Sequence, residues 1–279
     1  MRKYIILIMI FFTVTIPLMA QGEIDEQKRV MFRNERTYGG FLNSNGYGFN
    51  YRYGFWRNAR NQFILDGDFS YVKHPKEVKT TVAYDYQTHR YVYGKQNLFW
   101  ELKGLAGWQK ELFRKHDKTG ISVRMFYSGG LSLGFEKPIY YEVYTFSSIG
   151  EAVRMDLMKF DPSIHIDKYQ IGGRGPFFMG FNELKVIPGL VGKVGLSFEY
   201  SKKDAILHAL EAGLSLTVYP REIQIMATEQ NNFLFFNLMV GFRFGKIINT
   251  SEASRAKSRQ ERRQERKEQG SSQPFRIFR

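Results

Sequence analysis

Beyond residue 20 the chain alternates apolar and polar residues with a period of two, in runs of about ten residues. Leu190, Gly192, Val194, Leu196, Phe198 and Tyr200 form one face of such a run, and Val191, Lys193, Gly195, Ser197, Glu199 and Ser201 form the other. Leu210, Ala212, Leu214, Leu216 and Val218 alternate in the same way with Glu211, Gly213, Ser215 and Thr217. Leu234, Phe236, Leu238, Val240, Phe242 and Phe244 alternate with Phe235, Asn237, Met239, Gly241, Arg243 and Gly245. Period two belongs to a strand, because successive side chains of a strand point to opposite faces. A run of about ten residues is what a tilted strand needs to cross a bilayer. An apolar face backed by a small or charged one is the dyad of a transmembrane barrel.

Earlier runs follow the same rule with more noise. The reading gives eight strands: Arg33–Leu42, Tyr47–Trp56, Gln62–Tyr71, Leu98–Lys103, Ile121–Leu133, Leu190–Ser201, Leu210–Val218 and Leu234–Gly245. Loop lengths alternate between them. Arg57–Asn61, Arg114–Thr119 and Lys202–Ala205 are short and polar, whereas His74–Lys95, Glu136–Pro188 and Pro220–Asn232 are longer. Asn43–Gly46, a tight turn among the longer set, is the exception. Short periplasmic turns and long external loops are the habit of outer-membrane barrels. The fold expected is therefore all-β: an antiparallel up-and-down transmembrane β-barrel of about eight strands, with a long external loop and a basic C-terminal tail.

The long connection carries two further expectations. Glu151–Phe160 (EAVRMDLMKF) predicts a short helix stopped by Asp161-Pro162, and Gly172-Gly173-Arg174-Gly175-Pro176 predicts a break in regular structure. The connection is long enough to fold over the barrel mouth as a lid.

Residues 1–20 read as a signal peptide. Arg2 and Lys3 precede the apolar run Tyr4–Pro17, and Leu18-Met19-Ala20 fits cleavage before Gln21. Residues 21–248 are then the barrel and 249–279 a basic periplasmic tail, disordered or helical. There is no cysteine, which excludes disulfides, thiolate metal sites and a cysteine nucleophile. Net charge is +14, and the segment Ser251–Arg279 alone has nine basic and four acidic residues. An exported basic chain meets anionic envelope polymers, lipid headgroups or an acidic protein rather than nucleic acid.

The signal peptide ending in Ala20-Gln21, the aromatic dyads and the closing Val240-Gly241-Phe242-Arg243-Phe244-Gly245-Lys246 resemble small outer-membrane β-barrel proteins of Bacteroidota. Glu183-Leu184-Lys185-Val186-Ile187-Pro188-Gly189-Leu190, leading into a strand, is similar in character. The resemblance implies an outer-membrane location and a structural or accessory role, as in parts of secretion or barrel-assembly machines. No catalytic motif and no cofactor travels with it.

On the strand parity, Arg52, Asp66, Asp68, Glu101, Lys103, Arg124, Lys193, Glu199, Glu211 and Arg243 face the lumen. An eight-stranded barrel has room inside for side chains only, so these charges are expected to pair as a filling network. A second candidate surface is the tail, where Arg255, Arg259, Arg262, Arg263, Arg266 and Lys267 are expected to dock an outer-membrane or periplasmic protein partner. The chain is thus read as an anchor for a partner interaction, with outer-membrane lipid around it and no enzymatic activity. The competing class is a lipid-modifying barrel enzyme, for which His74, His89 and His165, the last beside Asp161, Ser163 and Asp167, are the available groups. His208 is placed at the periplasmic rim. DPSIHID lacks the regular ligand spacing of a calcium loop.

Overall fold

The computed structural model describes residues 33–249, apart from 59, 83–88, 116–119, 147–151, 164–170, 203–205 and 228–230. The expected signal peptide, and the expected tail with its six basic docking residues, lie outside the described residues. Eight strands close a barrel. They are β1 (Arg33–Asn43), β2 (Gly46–Trp56), β3 (Asn61–Val72), β6 (Asn97–Phe113), β7 (Ser122–Pro138), β11 (Lys185–Glu199), β12 (Ile206–Val218) and β13 (Leu234–Asn249). Each pairs antiparallel with its neighbours, and β1 zips against β13 from Arg33↔Asn249 to Asn43↔Met239, so no edge remains open. Among the described residues no helix is long and apolar enough to cross a membrane.

The strand parity sets the two surfaces of this wall. Leu196, Leu214, Leu216, Leu238 and Val240 face outward and stay exposed, while Ser197, Glu211, Ser215 and Asn237 face inward and are buried. A closed barrel with an apolar outer belt is stable in lipid and not in water. Aromatic pairs stud the belt near its two ends. Tyr47–Tyr71 and Phe49–Phe69 lie towards the end with the longer loops, and Phe55–Phe63 and Phe63–Trp108 towards the other. The protein is an outer-membrane β-barrel, and its end with the short turns is called periplasmic after the habit of such barrels.

The lumen is filled by alternating small and large residues. A side chain at Gly195 would come within 2.7 Å of the Phe126 ring, and one at Gly134 within 2.7 Å of Phe99. These glycines are the space the aromatic rings occupy. Phe41, Ile64, Phe126 and Met239 make an apolar layer inside the barrel.

The outer end departs from the sequence reading in three ways. The predicted helix is β9 (Ala152–Lys159), an edge strand of a three-stranded sheet with β8 (Tyr140–Phe146) at its centre. The expected break at the glycine run comes later than read: Ile171–Arg174 is β10, the other edge of that sheet, with a register shift between Ile171 and Gly173, and the strand ends before Gly175-Pro176. The loop after β3 holds a further hairpin, β4 (Lys79–Val82) paired with β5 (His89–Val92). Tyr91, Leu98, Ile139, Tyr141, Val143, Phe160 and Ile171 form one buried cluster that welds both small sheets to the barrel top. Among the described residues the mouth is closed by the β12–β13 connection rather than by the long one. Its Tyr219, Ile223, Ile225 and Met226 pack with Val72, Phe99, Ile187 and Phe235 from the strands.

The fourth strand was read as Leu98–Lys103 but runs for 17 residues, and β7 has the same length. At roughly 3.3 Å per residue these strands outrun the ~30 Å hydrocarbon core even when tilted. Lys185–Gly189 of β11 pair with Ser132–Glu136 of β7 above Leu190, where pairing with β12 begins. One side of the wall is therefore taller, and β8 springs directly from it.

Candidate functional site

All ten sequence-assigned lumen residues lie inside the barrel, none more than 8% exposed. They form three tiers, each assembled from strands distant in sequence. In the periplasmic tier Arg124 reaches Glu35 at 3.0 Å and Glu199 at 2.6 Å, and Lys115 adds a second cation to Glu199 at 3.2 Å. The Trp56 indole N–H donates to Glu35, and the Arg124 guanidinium lies 5.3 Å from the Trp56 ring centre.

The middle tier is the densest. Arg52 holds Asp66 through two parallel bonds of 2.5 and 2.8 Å. The same guanidinium donates to Glu211 at 2.7 Å and to Gln109 at 3.2 Å. Glu211 also accepts from Arg243 at 2.9 Å, and Arg243 donates to the Thr37 hydroxyl. Lys193 pairs with Asp68 at 2.8 Å. Arg52 and Lys193 sit 4.7 and 5.8 Å from the Phe126 ring centre, which ties the ions to the apolar layer. Nearer the mouth, Lys103 pairs with Glu101 at 2.7 Å, and Glu101 accepts from Ser70 and Tyr219.

Every charge in this column has an opposite partner, which buried charges require. Such an arrangement fixes the charged groups in place, while Asp68 Oδ1, the Nε atoms of Arg124 and Arg243, and the Gln62 amide stay buried without a hydrogen-bond partner. Sequence reading missed Glu35, Lys115 and Tyr219. Glu35 shares its face of β1 with Thr37, a parity that the noisy RNERTYGGFL run obscures. Tyr219 enters the lumen from a loop and so has no strand pattern to mark it.

The described candidates for lipid chemistry, His74 and the Asp161–Ser163 pair, lie in separate local turns. His74 is buried, and its Nδ1 accepts from the Lys76 backbone N–H in a tight turn. Asp161 accepts from both the backbone N–H and the hydroxyl of Ser163 in an exposed local turn. His208 stands on the outer face near the periplasmic end, 6.1 Å from Tyr200 and 6.2 Å from Phe242 between ring centres. His116, His165, Asp167 and the side chain of His89 lie outside the described residues. Among the described residues no group of three or more His, Asp or Glu is arranged to hold a metal ion.

The outer head carries a second cluster. Lys95, 4% exposed, donates to Glu77 at 2.6 Å and to the Tyr71 hydroxyl at 3.0 Å. The Tyr141 hydroxyl donates to the carbonyls of Val92 and Lys95 and so fixes the loop that carries that lysine. Lys137, buried at the top of β7, lies 5.1 and 5.0 Å from the ring centres of Phe177 and Phe181. Glu183 accepts from Tyr140 and Lys159, and these bonds hold its carboxyl below the usual range.

No protein-family model and no curated protein matches the chain. Among solved structures it is similar to Ail, the attachment invasion locus protein of Yersinia pestis, in complex with the heparin analogue sucrose octasulfate. That match has 10% identity and a TM-score of 0.38, covering 78% of this chain and 99% of the other. Neisserial surface protein A matches at 13% identity and a TM-score of 0.32, covering 76% and 95%. The N-terminal β-barrel domain of Pseudomonas aeruginosa OprF matches at 11% and 0.27, covering 76% and 96%.

Proposed function

We propose that this protein is a non-conducting membrane anchor that displays a β-sheet head outside the cell and docks a periplasmic partner through its basic tail. The observation that carries this reading is the occupied lumen: three ion-paired tiers, an apolar layer and a hydrophobic plug fill the barrel from end to end. A barrel so filled offers no open path, which leaves function to what projects from its two ends. Arg255, Arg259, Arg262, Arg263, Arg266 and Lys267 supply a dense positive charge for an acidic protein surface or anionic envelope polymer, through attraction that salt weakens. Deleting Ser251–Arg279 should leave a folded, heat-modifiable barrel in the membrane and abolish co-purification of the partner. Reversing Arg259, Arg262, Arg263 and Arg266 to Glu should do the same. Full partner retention by both variants would overturn the docking role.

A further inference from the structure

Where the β4–β5 hairpin meets β10 and the tall barrel wall, the surface folds into a cleft of about 360 Å³. Its charged lining is Lys73, Lys79, Arg90, Lys95 and Arg174 against the single carboxylate Glu77. That carboxylate is already engaged by Lys95 at the floor. The other four cations stand exposed around the rim. Lys73 follows directly on β3, and the others come from β4, β5 and β10. The tertiary structure therefore gathers them, and no charge run in the sequence does. Burial depresses the Lys95 ammonium below its usual range and Arg174 adds to the effect, while Glu77 opposes both. An anion in the cleft would act on Lys95 in the same sense as Glu77.

The rest of the lining narrows the ligand. Leu98, Ile139 and Val92 give the cleft an apolar side, and the Tyr71 ring edges it. Apolar and aromatic surface next to guanidinium and ammonium donors suits a sugar ring carrying an oxyanion: the ring's C–H face covers the apolar side while the oxyanion takes the cations. The volume is in the range of a small-molecule site. Position narrows it again. Tyr71 is paired with Tyr47 and sits opposite Trp100 on the outward face, in the outer aromatic belt. The cleft therefore opens just above the outer-leaflet headgroups.

We infer that this cleft binds a phosphorylated sugar, through Lys73, Lys79, Arg90 and Arg174 on the phosphate and the Tyr71–Leu98 side on the ring. This site is independent of the tail. The test uses the full-length refolded barrel and a variant carrying Lys73→Gln, Lys79→Gln, Arg90→Gln and Arg174→Gln. All four positions are exposed, so the variant should keep its heat-modifiability. A control, Lys110→Gln with Lys246→Gln, removes exposed cations from the opposite end. The free probe is glucosamine 1-phosphate against unphosphorylated glucosamine, titrated by calorimetry. The membrane probe is lipid A in nanodiscs, read as phosphate retained per protein after washing. The parent and the control should bind the phosphorylated probe, and the rim variant should bind it at least tenfold more weakly. Retention of lipid A with that same loss supports the site and places its ligand in the outer leaflet. Binding of the free phosphosugar alone supports the site with a soluble ligand. Equal binding by the parent and the rim variant in both formats, or equal affinity for glucosamine and its phosphate, overturns the inference.

Discussion

Glu211 holds two guanidinium groups at once, Arg52 at 2.7 Å and Arg243 at 2.9 Å, in a space closed to water. Glu211→Ala would leave both cations without that partner, and removing one member of a buried ion cluster costs about 3–5 kcal/mol. The expected outcome is a lower urea midpoint for unfolding from vesicles. A midpoint unchanged from the parent would mean the network contributes nothing. On the opposite face, Leu214→Arg puts a charge against lipid at a cost of about 2–4 kcal/mol, whereas Ser197→Arg crowds the periplasmic tier. Normal insertion of Leu214→Arg would show that the face assignment is shifted by one residue. These residues were legible because parity along a strand decides which wall each side chain joins. Lys95 and Lys137 were not, because loops packing over the barrel top bury them, and no local period records that.

The same division holds for elements. The strands that cross the bilayer declare themselves, since lipid outside and ions inside force a strict alternation on them. β9 does not. Its EAVRMDLMKF stretch is made of good helix formers, and Val153, Met155 and Leu157 also alternate with Arg154, Asp156 and Met158. Either period fits the residues. Pairing with β8, whose YYEVYTF is rich in aromatic and β-branched residues, settles the matter from outside the segment. Gly172–Arg174 of β10 went unread as strand for the same reason, because pairing with β8 needs only backbone groups, whereas the break did come at Gly175-Pro176. Since the head rests on its own buried cluster, it should fail without the barrel failing. Tyr141→Ala removes a ring that is 2% exposed and a hydroxyl shared by two carbonyls, a loss of about 3–5 kcal/mol. Limited proteolysis should then cut between β8 and β10 while the barrel stays heat-modifiable. Resistance equal to the parent would show that the cluster does not hold the head together.

At the scale of the whole molecule the plug, three ion-paired tiers and an apolar layer lie in series. The plug at the mouth is tied down by backbone bonds, from Gln96 to the Ile225 carbonyl at 2.9 Å and from Ala227 to that of Gly94 at 2.7 Å. Below it the middle tier spans the lumen independently, with Arg52 from β2 meeting Glu211 from β12 across the barrel. Obstructions in series predict a specific pattern in planar-bilayer recordings. The parent should show no conductance steps. Ile223→Ser, Ile225→Ser and Met226→Ser together loosen the plug and should also stay silent, because the ion tier remains. Replacing Arg52, Asp66, Glu211 and Arg243 by Ser removes two charges of each sign from the middle tier, yet Lys193, Asp68 and the apolar layer remain there and the plug still closes the mouth. The combined variant should stay silent too, because the periplasmic tier and the apolar layer still cross the lumen, and an eight-stranded wall encloses little more than its own side chains. Steps in the parent, or in the plug variant alone, would mean that the middle tier opens to ions, and the anchor reading would give way to that of a narrow channel.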